Sequence, residues 1–240
     1  MKRVLVIDDE RPTLGMFELF LEAYGYEVLT AENASEGLMI FEKERPPIVL
    51  TDIKMPGMDG LEVLKKIKEI DSGTEVIVIT GHGDMDLAVK ALSLHATDFI
   101  NKPINKGALD DALRRAEQRL ERNIPGKETK ISARLVDDLG IIDIQGDCTQ
   151  NCMNTLMKKW EEAVNQGTKK VVFNFDNACT IDGRGMEFLM QLFSEQKTES
   201  QSIAVAGISE NLKSVFSMVG LTKFVSLHDS QEEAIEALSD

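Results

Sequence analysis

Through the first half of the chain, short β-branched runs alternate with stretches whose apolar residues recur every three or four positions, a change of period that separates strands from helices. Val4–Ile7, Tyr26–Thr30, Ile48–Asp52, Val76–Ile79 and Phe99–Asn101 read as strands. After the first, Pro12 suits an opening helical turn, Leu14, Phe17, Leu21 and Tyr24 share one face, and Gly25 ends the helix. Helices follow over residues 34–44, through Leu61, Leu64 and Ile67, over 84–94, and through Leu109, Ala112, Leu113, Ala116 and Leu120. Five strands alternating with five helices predict a doubly wound α/β domain on a five-stranded parallel sheet.

The second half begins differently. Ile131–Val136 and Leu139–Gln145 flank Asp137-Asp138 and read as a hairpin. Thr149 is placed to cap the next helix, which buries Leu156, Trp160 and Ala163. Lys170–Phe175 is a central strand, because Val171, Val172 and Phe173 run together. A helix striped by Met186, Leu189, Met190 and Phe193, the strand Ile203–Ala206, and a helix through Leu212, Val215, Phe216 and Val219 ended by Gly220 come next. A last strand Phe224–Leu227 and a terminal helix with Ile235 and Leu238 complete a smaller α/β domain with a mixed sheet. Residues 121–130, ERNIPGKETK, lack periodicity and are broken by Pro125-Gly126. The expected division is therefore a domain over 1–122, a linker over 123–130 and a second domain over 131–240. A flexible linker of that length spans about 15 Å.

The candidate chemistry lies where four strands of the first half stop. Val4–Ile7 runs into Asp8-Asp9, Ile48–Leu50 leads to Asp52, Val76–Ile79 stops at Thr80, and Phe99–Asn101 reaches Lys102. In a parallel sheet all four ends lie on one rim, the edge at which open α/β sheets bind ligands. A single Asp there is ordinarily a cap or turn residue, but four polar endings are hard to assign to chance. Three gathered carboxylates repel and become tolerable beside a hard divalent cation with oxygen ligands. A hydroxyl and an ammonium suit the oxygens of a phosphoryl group, and an Asp can itself be the nucleophile that forms an aspartyl-phosphate.

These residues resemble the receiver domain of two-component response regulators, over residues 1–122. The resemblance implies a flavodoxin-like fold with Asp52 as phosphoacceptor, and Mg²⁺ bound by Asp8, Asp9, Asp52 and the backbone carbonyl of Lys54. It implies Thr80 as the hydroxyl that moves to the phosphoryl group, Lys102 as the ion-pair partner, and Phe99 as the aromatic switch residue. It further implies a sensor histidine kinase or phosphotransfer protein as donor. Lys54 and His82 stand where receivers tune the attack of water on the phosphoryl group, and equally read as two exposed loop residues. Lys102-Pro103 falls where the family carries a cis peptide.

Composition narrows the output. The net charge of −14 is spread over both halves, with 16 basic against 23 acidic residues in 1–125 and 11 against 18 in the remainder. Neither half has the positive footprint of a phosphate-backbone binder, so direct DNA binding is not expected. Three cysteines, an odd number, and no apolar run of membrane-spanning length point to a reducing cytoplasm, with no membrane partner. Cys148 and Cys152 stand four apart and could share a helix face, but two ligands make no zinc site, and small buried side chains are the better reading. His82, His95 and His228 are scattered.

The second half, and especially VVFNFDNACTIDGRGMEFL, resembles a STAS domain, the fold of anti-sigma-factor antagonists. In that family the turn before the helix reads Asp-Ser-x-Gly and its Ser is phosphorylated by the partner kinase. Here it reads Asp182-Gly183-Arg184-Gly185, so the hydroxyl is missing, and Thr180 is expected to be buried with the strand end. The turn also reads simply as a helix cap with close-packed glycines. The resemblance implies a partner surface at Asp182, Gly183, Arg184, Gly185, Met186 and Glu187. The leading expectation is a non-enzymatic regulator whose state at Asp52 controls docking of the STAS half onto an anti-sigma factor or related kinase. The alternatives are the same input driving assembly of a larger signalling complex, including a homodimer, or an aspartyl-phosphate-dependent phosphatase. The last is disfavoured because Lys54 stands where such hydrolases carry their general acid.

Overall fold

The computed structural model describes residues 2–81, 84–122, 129–149, 152–165, 167–177, 179–197 and 201–239. The chain forms two compact units, Met1–Gly126 and Lys127–Asp240. His82 and most of the expected linker, residues 123–128, lie outside the described residues.

The first unit alternates β1 (Lys2–Ile7), α1 (Arg11–Ala23), β2 (Tyr26–Ala31), α2 (Ala34–Glu44), β3 (Ile48–Asp52), α3 (Gly60–Ile70), β4 (Glu75–Thr80), α4 (Met85–Ser93), β5 (Asp98–Asn101) and α5 (Lys106–Arg122). All five strands pair in parallel in the order β2-β1-β3-β4-β5. β1, β3 and β4 are apolar along most of their length because helices cover both faces of the sheet, which leaves no solvated side for alternation. On one face Leu14, Phe17 and Leu21 of α1 and Leu109, Ala112, Leu113 and Ala116 of α5 pack on Val4, Val6, Ile48, Leu50, Ile77, Ile79 and Ile100. α5 is also tied to the sheet by ion pairs from Arg115 to Asp98 and from Arg119 to Glu75, the second at 2.7 Å. Strand order reverses between β1 and β3, which opens a crevice at their carboxyl ends.

The second unit contains β6 (Lys130–Val136), β7 (Leu139–Gln145), α6 (Met153–Asn165), β8 (Lys170–Phe175), α7 (Gly183–Lys197), β9 (Ser202–Ala206), α8 (Glu210–Met218), β10 (Ser226–His228) and α9 (Gln231–Ser239). Its sheet has the order β10-β9-β8-β7-β6, with β6 and β7 antiparallel and the other pairs parallel. β8 is central, as its apolar run predicts. The hairpin turns at Asp137, which takes a left-handed φ of 55°. Trp160 of α6 stacks on Phe173 of β8 at 5.7 Å, and Phe173 meets Phe193 of α7 edge-on at 5.0 Å. Such ring pairs add to the burial energy of the core.

Three local expectations change. The last strand is Ser226–His228 rather than Phe224–Leu227, because Leu221–Lys223 turn as a 3-10 helix that carries Phe224 with it. α6 starts at Met153, and Thr149 contributes its carbonyl to the Cys152 N–H ahead of the helix instead of capping it. Cys148 lies outside that helix, in a parallel bridge to Ile181, so the two cysteines share no helix face.

Candidate functional site

The sheet delivers Asp8 and Asp52 to the crevice from neighbouring strands. β3 is buried throughout, and its main chain continues past Asp52 with Ile53 N–H donating to Ile79 O at 2.9 Å. The chain then turns through Gly57, at φ 84°, and enters α3 under the cap of Asp59, whose carboxylate accepts from Glu62 N–H at 2.8 Å. Gly60 N–H returns to Ile53 O at 2.9 Å, which clamps the start of α3 against the end of β3.

Lys102 joins the carboxylates. Its Nζ is 2.7 Å from Asp52 Oδ1 and 3.1 Å from Asp8 Oδ2, and Glu10 lies farther out at 3.6 Å. The other oxygens are held by main chain, Asp52 Oδ2 by Lys54 N–H at 2.7 Å and Asp8 Oδ1 by Glu10 N–H at 2.9 Å. Burial pushes the Asp52 carboxyl above its ordinary value; Lys102 opposes the rise and the Asp8 charge adds to it. Burial alone would lower the Lys102 ammonium, but the hydrogen bonds and charges of Asp52 and Asp8 outweigh it and push it up to about 12. The two ends of the pair thus respond differently: the ammonium faces two carboxylates, whereas Asp52 is the more deeply buried and shares its cation with Asp8.

The remaining predicted residues stand around this centre. Thr80, buried at the end of β4, donates to Asn101 Oδ1 at 3.3 Å and Gly81 O at 3.1 Å. Phe99 is fully buried in β5, opposite Val78. The Lys54 side chain pairs with Asp84 at 2.9 Å, and that bond ties the loop after β3 to the start of α4. The Lys102-Pro103 peptide is cis. Glu10, Asp84 and Asn101 are site residues that periodicity alone did not find; Asn101 is legible only from the register that sets it opposite Thr80.

Two buried carboxylates converging on one cation are a donor set that a hard divalent ion with oxygen ligands fits. Asp9 is exposed next to Asp8, and among the described residues no three His, Cys, Asp or Glu side chains gather tightly enough to hold a metal.

In the second unit, Asp182 caps α7: its Oδ1 accepts from Gly185 N–H at 2.7 Å. Gly185 is packed so closely that a Cβ there would lie 2.3 Å from Cys148 O. Of the six residues assigned to a partner surface, Asp182, Gly185 and Met186 are buried, Gly183 is half-buried, and Arg184 and Glu187 are exposed. Thr180 is half-buried rather than buried; its hydroxyl donates to Asp147 Oδ1 at 3.0 Å, which holds it at the rim of the strand end.

Fold and site together define a five-stranded parallel α/β sheet with two carboxylates and an ammonium at its rim, followed by a mixed-sheet α/β domain. The family model of the response regulator receiver domain matches residues 4–114, and that of the STAS domain matches residues 130–234. Sporulation initiation phosphotransferase F of Bacillus subtilis (strain 168) is 34% identical over 114 residues, which cover 48% of this chain and 92% of that protein. The transcriptional regulatory protein GlrR of Escherichia coli (strain K12) is 33% identical over 127 residues, 53% of this chain. The chain spans only 28% of the length of that regulator. A crystal structure of a response regulator receiver domain protein from Clostridium thermocellum matches with 39% identity and a TM-score of 0.49, covering 50% of this chain and 98% of that one. The chain belongs to the response regulator receiver family and carries a STAS domain as its second unit. A receiver joined to a STAS domain is the make-up of a two-component response regulator, and both are signalling rather than catalytic domains. Among the described residues no helix is long and apolar enough to cross a membrane.

Proposed function

We propose that Asp52 accepts a phosphoryl group from a phosphohistidine donor, and that its phosphorylation state controls docking of the STAS half, about residues 131–240, onto an anti-sigma factor or related kinase. The observation that carries the reading is the buried Asp52 carboxylate at the strand-order reversal, sharing Lys102 with Asp8. A carboxylate oxygen of Asp52 attacks phosphorus, the bond to the donor breaks, and its electron pair leaves with the donor. Lys102 is within reach of the incoming phosphoryl oxygens, and Thr80 would exchange its bond to Asn101 for one to the phosphoryl group. Asp8, Asp52 and the Lys54 carbonyl, joined by Asp9 once its side chain turns inward, would hold Mg²⁺, and the ion would supply positive charge against the carboxylates and the phosphoryl group.

Withdrawal of Thr80 from Asn101 would free space beside β5 for Phe99 to turn, changing the face of α4, β5 and α5. Because Gly183 offers no hydroxyl, silencing of the STAS turn by kinase phosphorylation is not available at that position, and the receiver is the natural controller. A useful switch needs about 1–3 kcal/mol of coupling, a five- to 150-fold change in partner affinity. Treatment of the full chain with acetyl phosphate and Mg²⁺ should place a labile phosphate on Asp52, absent from Asp52→Asn. Titration of an anti-sigma kinase against the full chain with and without beryllofluoride should then show the affinity change. Labelling that survives Asp52→Asn sinks the first half of the reading, and equal affinities sink the second.

A further inference from the structure

The second unit contains a thiol pair that the receiver chemistry does not use. Cys148 Sγ and Cys152 Sγ are 3.5 Å apart, both side chains are buried, and neither is in a disulfide. Cys152, the residue before α6, keeps 5% of its surface exposed, whereas Cys148 keeps none. The Cys148 thiol holds the Cys152 thiol below the ordinary cysteine value against burial, helped by the Thr149 N–H, while Cys148 is pushed up by the same bond and by its burial. Cys152 is thus the reachable sulfur and Cys148 waits beside it, the arrangement of an attacking and a resolving thiol.

We propose that Cys148 and Cys152 are a redox-modification site: hydrogen peroxide converts the two thiols into a disulfide that restrains the turn leading into α7. Cys152 sulfur, as thiolate, attacks one peroxide oxygen; the O–O bond breaks, and hydroxide leaves and takes up the thiol proton as water. Cys148 sulfur then attacks the sulfur of the resulting sulfenic acid; the S–O bond breaks, and the oxygen departs as a second water with the Cys148 proton. Two thiols and one peroxide give one disulfide and two waters, and the two electrons lost by sulfur reduce the peroxide. An S–S bond of about 2.05 Å requires only a short approach of the two sulfurs.

The consequence reaches α7 through the main chain of Cys148. Its N–H donates to Thr180 O at 2.8 Å, its carbonyl accepts from Asp182 N–H at 3.4 Å, and that same carbonyl lies against Gly185. A tether on Cys148 therefore restrains the residues that cap α7. Cys179, with Sγ 3.5 Å from Thr180 O, is the nearby thiol that the pairing excludes.

The test uses the full chain, reduced, treated with hydrogen peroxide, then unfolded and alkylated with N-ethylmaleimide before tryptic mass spectrometry. Residues 135–158 form one tryptic peptide with both cysteines, and residues 171–184 another with Cys179. The first should lose both alkyl groups and two hydrogens, reversibly with dithiothreitol, while the second stays alkylated. Cys179→Ser should leave this result intact, Cys152→Ser should abolish it, and Trp160 emission checks that each variant folds. Amide exchange over residues 180–187 should slow in the oxidised protein and not in peroxide-treated Cys152→Ser. Full alkylation of 135–158 in protein whose methionines are oxidised, or a disulfide through Cys179 in comparable yield, overturns the assignment. Unchanged exchange with the disulfide formed overturns the link to α7.

Discussion

Gly60 tests whether the close approach of α3 to β3 is a requirement of the fold. A Cβ added at Gly60 would lie 2.0 Å from the main-chain oxygen of Asp52 and 2.9 Å from Ile53 Cα. Ala at this position must therefore push the two elements apart by well over an ångström. β3 is buried along its length and paired with both β1 and β4, so α3 has to yield. Overpacking of this kind costs about 1–3 kcal/mol, and contact with rigid backbone rather than a flexible side chain places it near the top of that range. Helix propensity returns at most about 1 kcal/mol. The net loss of about 2 kcal/mol should lower the melting midpoint of a unit this size by roughly 8 °C. Gly15 is the control: it is exposed inside α1 with no atom within 4 Å of an added Cβ, so Gly15→Ala should gain about 0.5–1 kcal/mol. Calorimetry of the full chain gives the midpoints. Emission assigns them, since Tyr24 and Tyr26 are the only tyrosines and Trp160 the only tryptophan. Movement of α3 pulls on the loop behind it, which supplies the Lys54 N–H to Asp52 Oδ2, and should also slow labelling by acetyl phosphate about tenfold or more. If Gly60→Ala melts with the parent protein and labels at its rate while Gly15→Ala gains as expected, the steric reasoning is refuted.

Asp52→Asn should raise the midpoint of the receiver unit at pH 7 while abolishing labelling. Because burial raises the folded Asp52 carboxyl above its ordinary 3.8, the folded state keeps a proton that the unfolded chain has released, so this group's contribution falls as pH rises from about 4 through the folded value. Melting from pH 4 to 7 should show that decline in the parent and a flatter curve in Asp52→Asn. Lys102→Met leaves Asp8 and Asp52 without their shared cation; solvent around the ammonium limits the cost to about 1–2 kcal/mol. Mg²⁺ should then raise the midpoint of Lys102→Met more than that of the parent in a thermal-shift titration, and an equal rise would show that the ion and the ammonium do not compete for these oxygens. Gly183→Ser should create a substrate for an anti-sigma kinase with ATP, read as phosphate on that residue; efficient labelling of Thr180 in the parent protein would contradict the assignment.

The alternation of both units was legible because it is local. Hydrophobic period distinguishes strand from helix within a few residues, and Asp59, Asn33 and Ser209 cap α3, α2 and α8 through their own neighbours three residues on. The rim of Asp8, Asp52, Thr80 and Lys102 was legible for a related reason: parallel strands joined by helices bring all their carboxyl ends to one edge, so position in the sequence implies position in space. The strand after α8 was misread because Phe224 and Val225 have the composition of a strand, whereas contacts of the 3-10 turn decide their conformation.

What only the tertiary structure decided depends on distances between residues far apart in the chain. Sequence supplies the lysine and the carboxylates, but the packing of β1 beside β3 makes Asp8 and Asp52 share one ammonium across separations of 94 and 50 residues. Pairing of β4 with β5 sets Asn101 against Thr80 and gives the hydroxyl its partner there. The same holds at the α7 turn, where Asp182, Gly185 and Met186 look like surface residues in a polar motif yet are buried against the strand end and Cys148. A hydrophobic pattern records which residues leave water, an energy summed along the chain. It does not record which polar atoms they meet on leaving it, because those partners are chosen by the closing of the sheet.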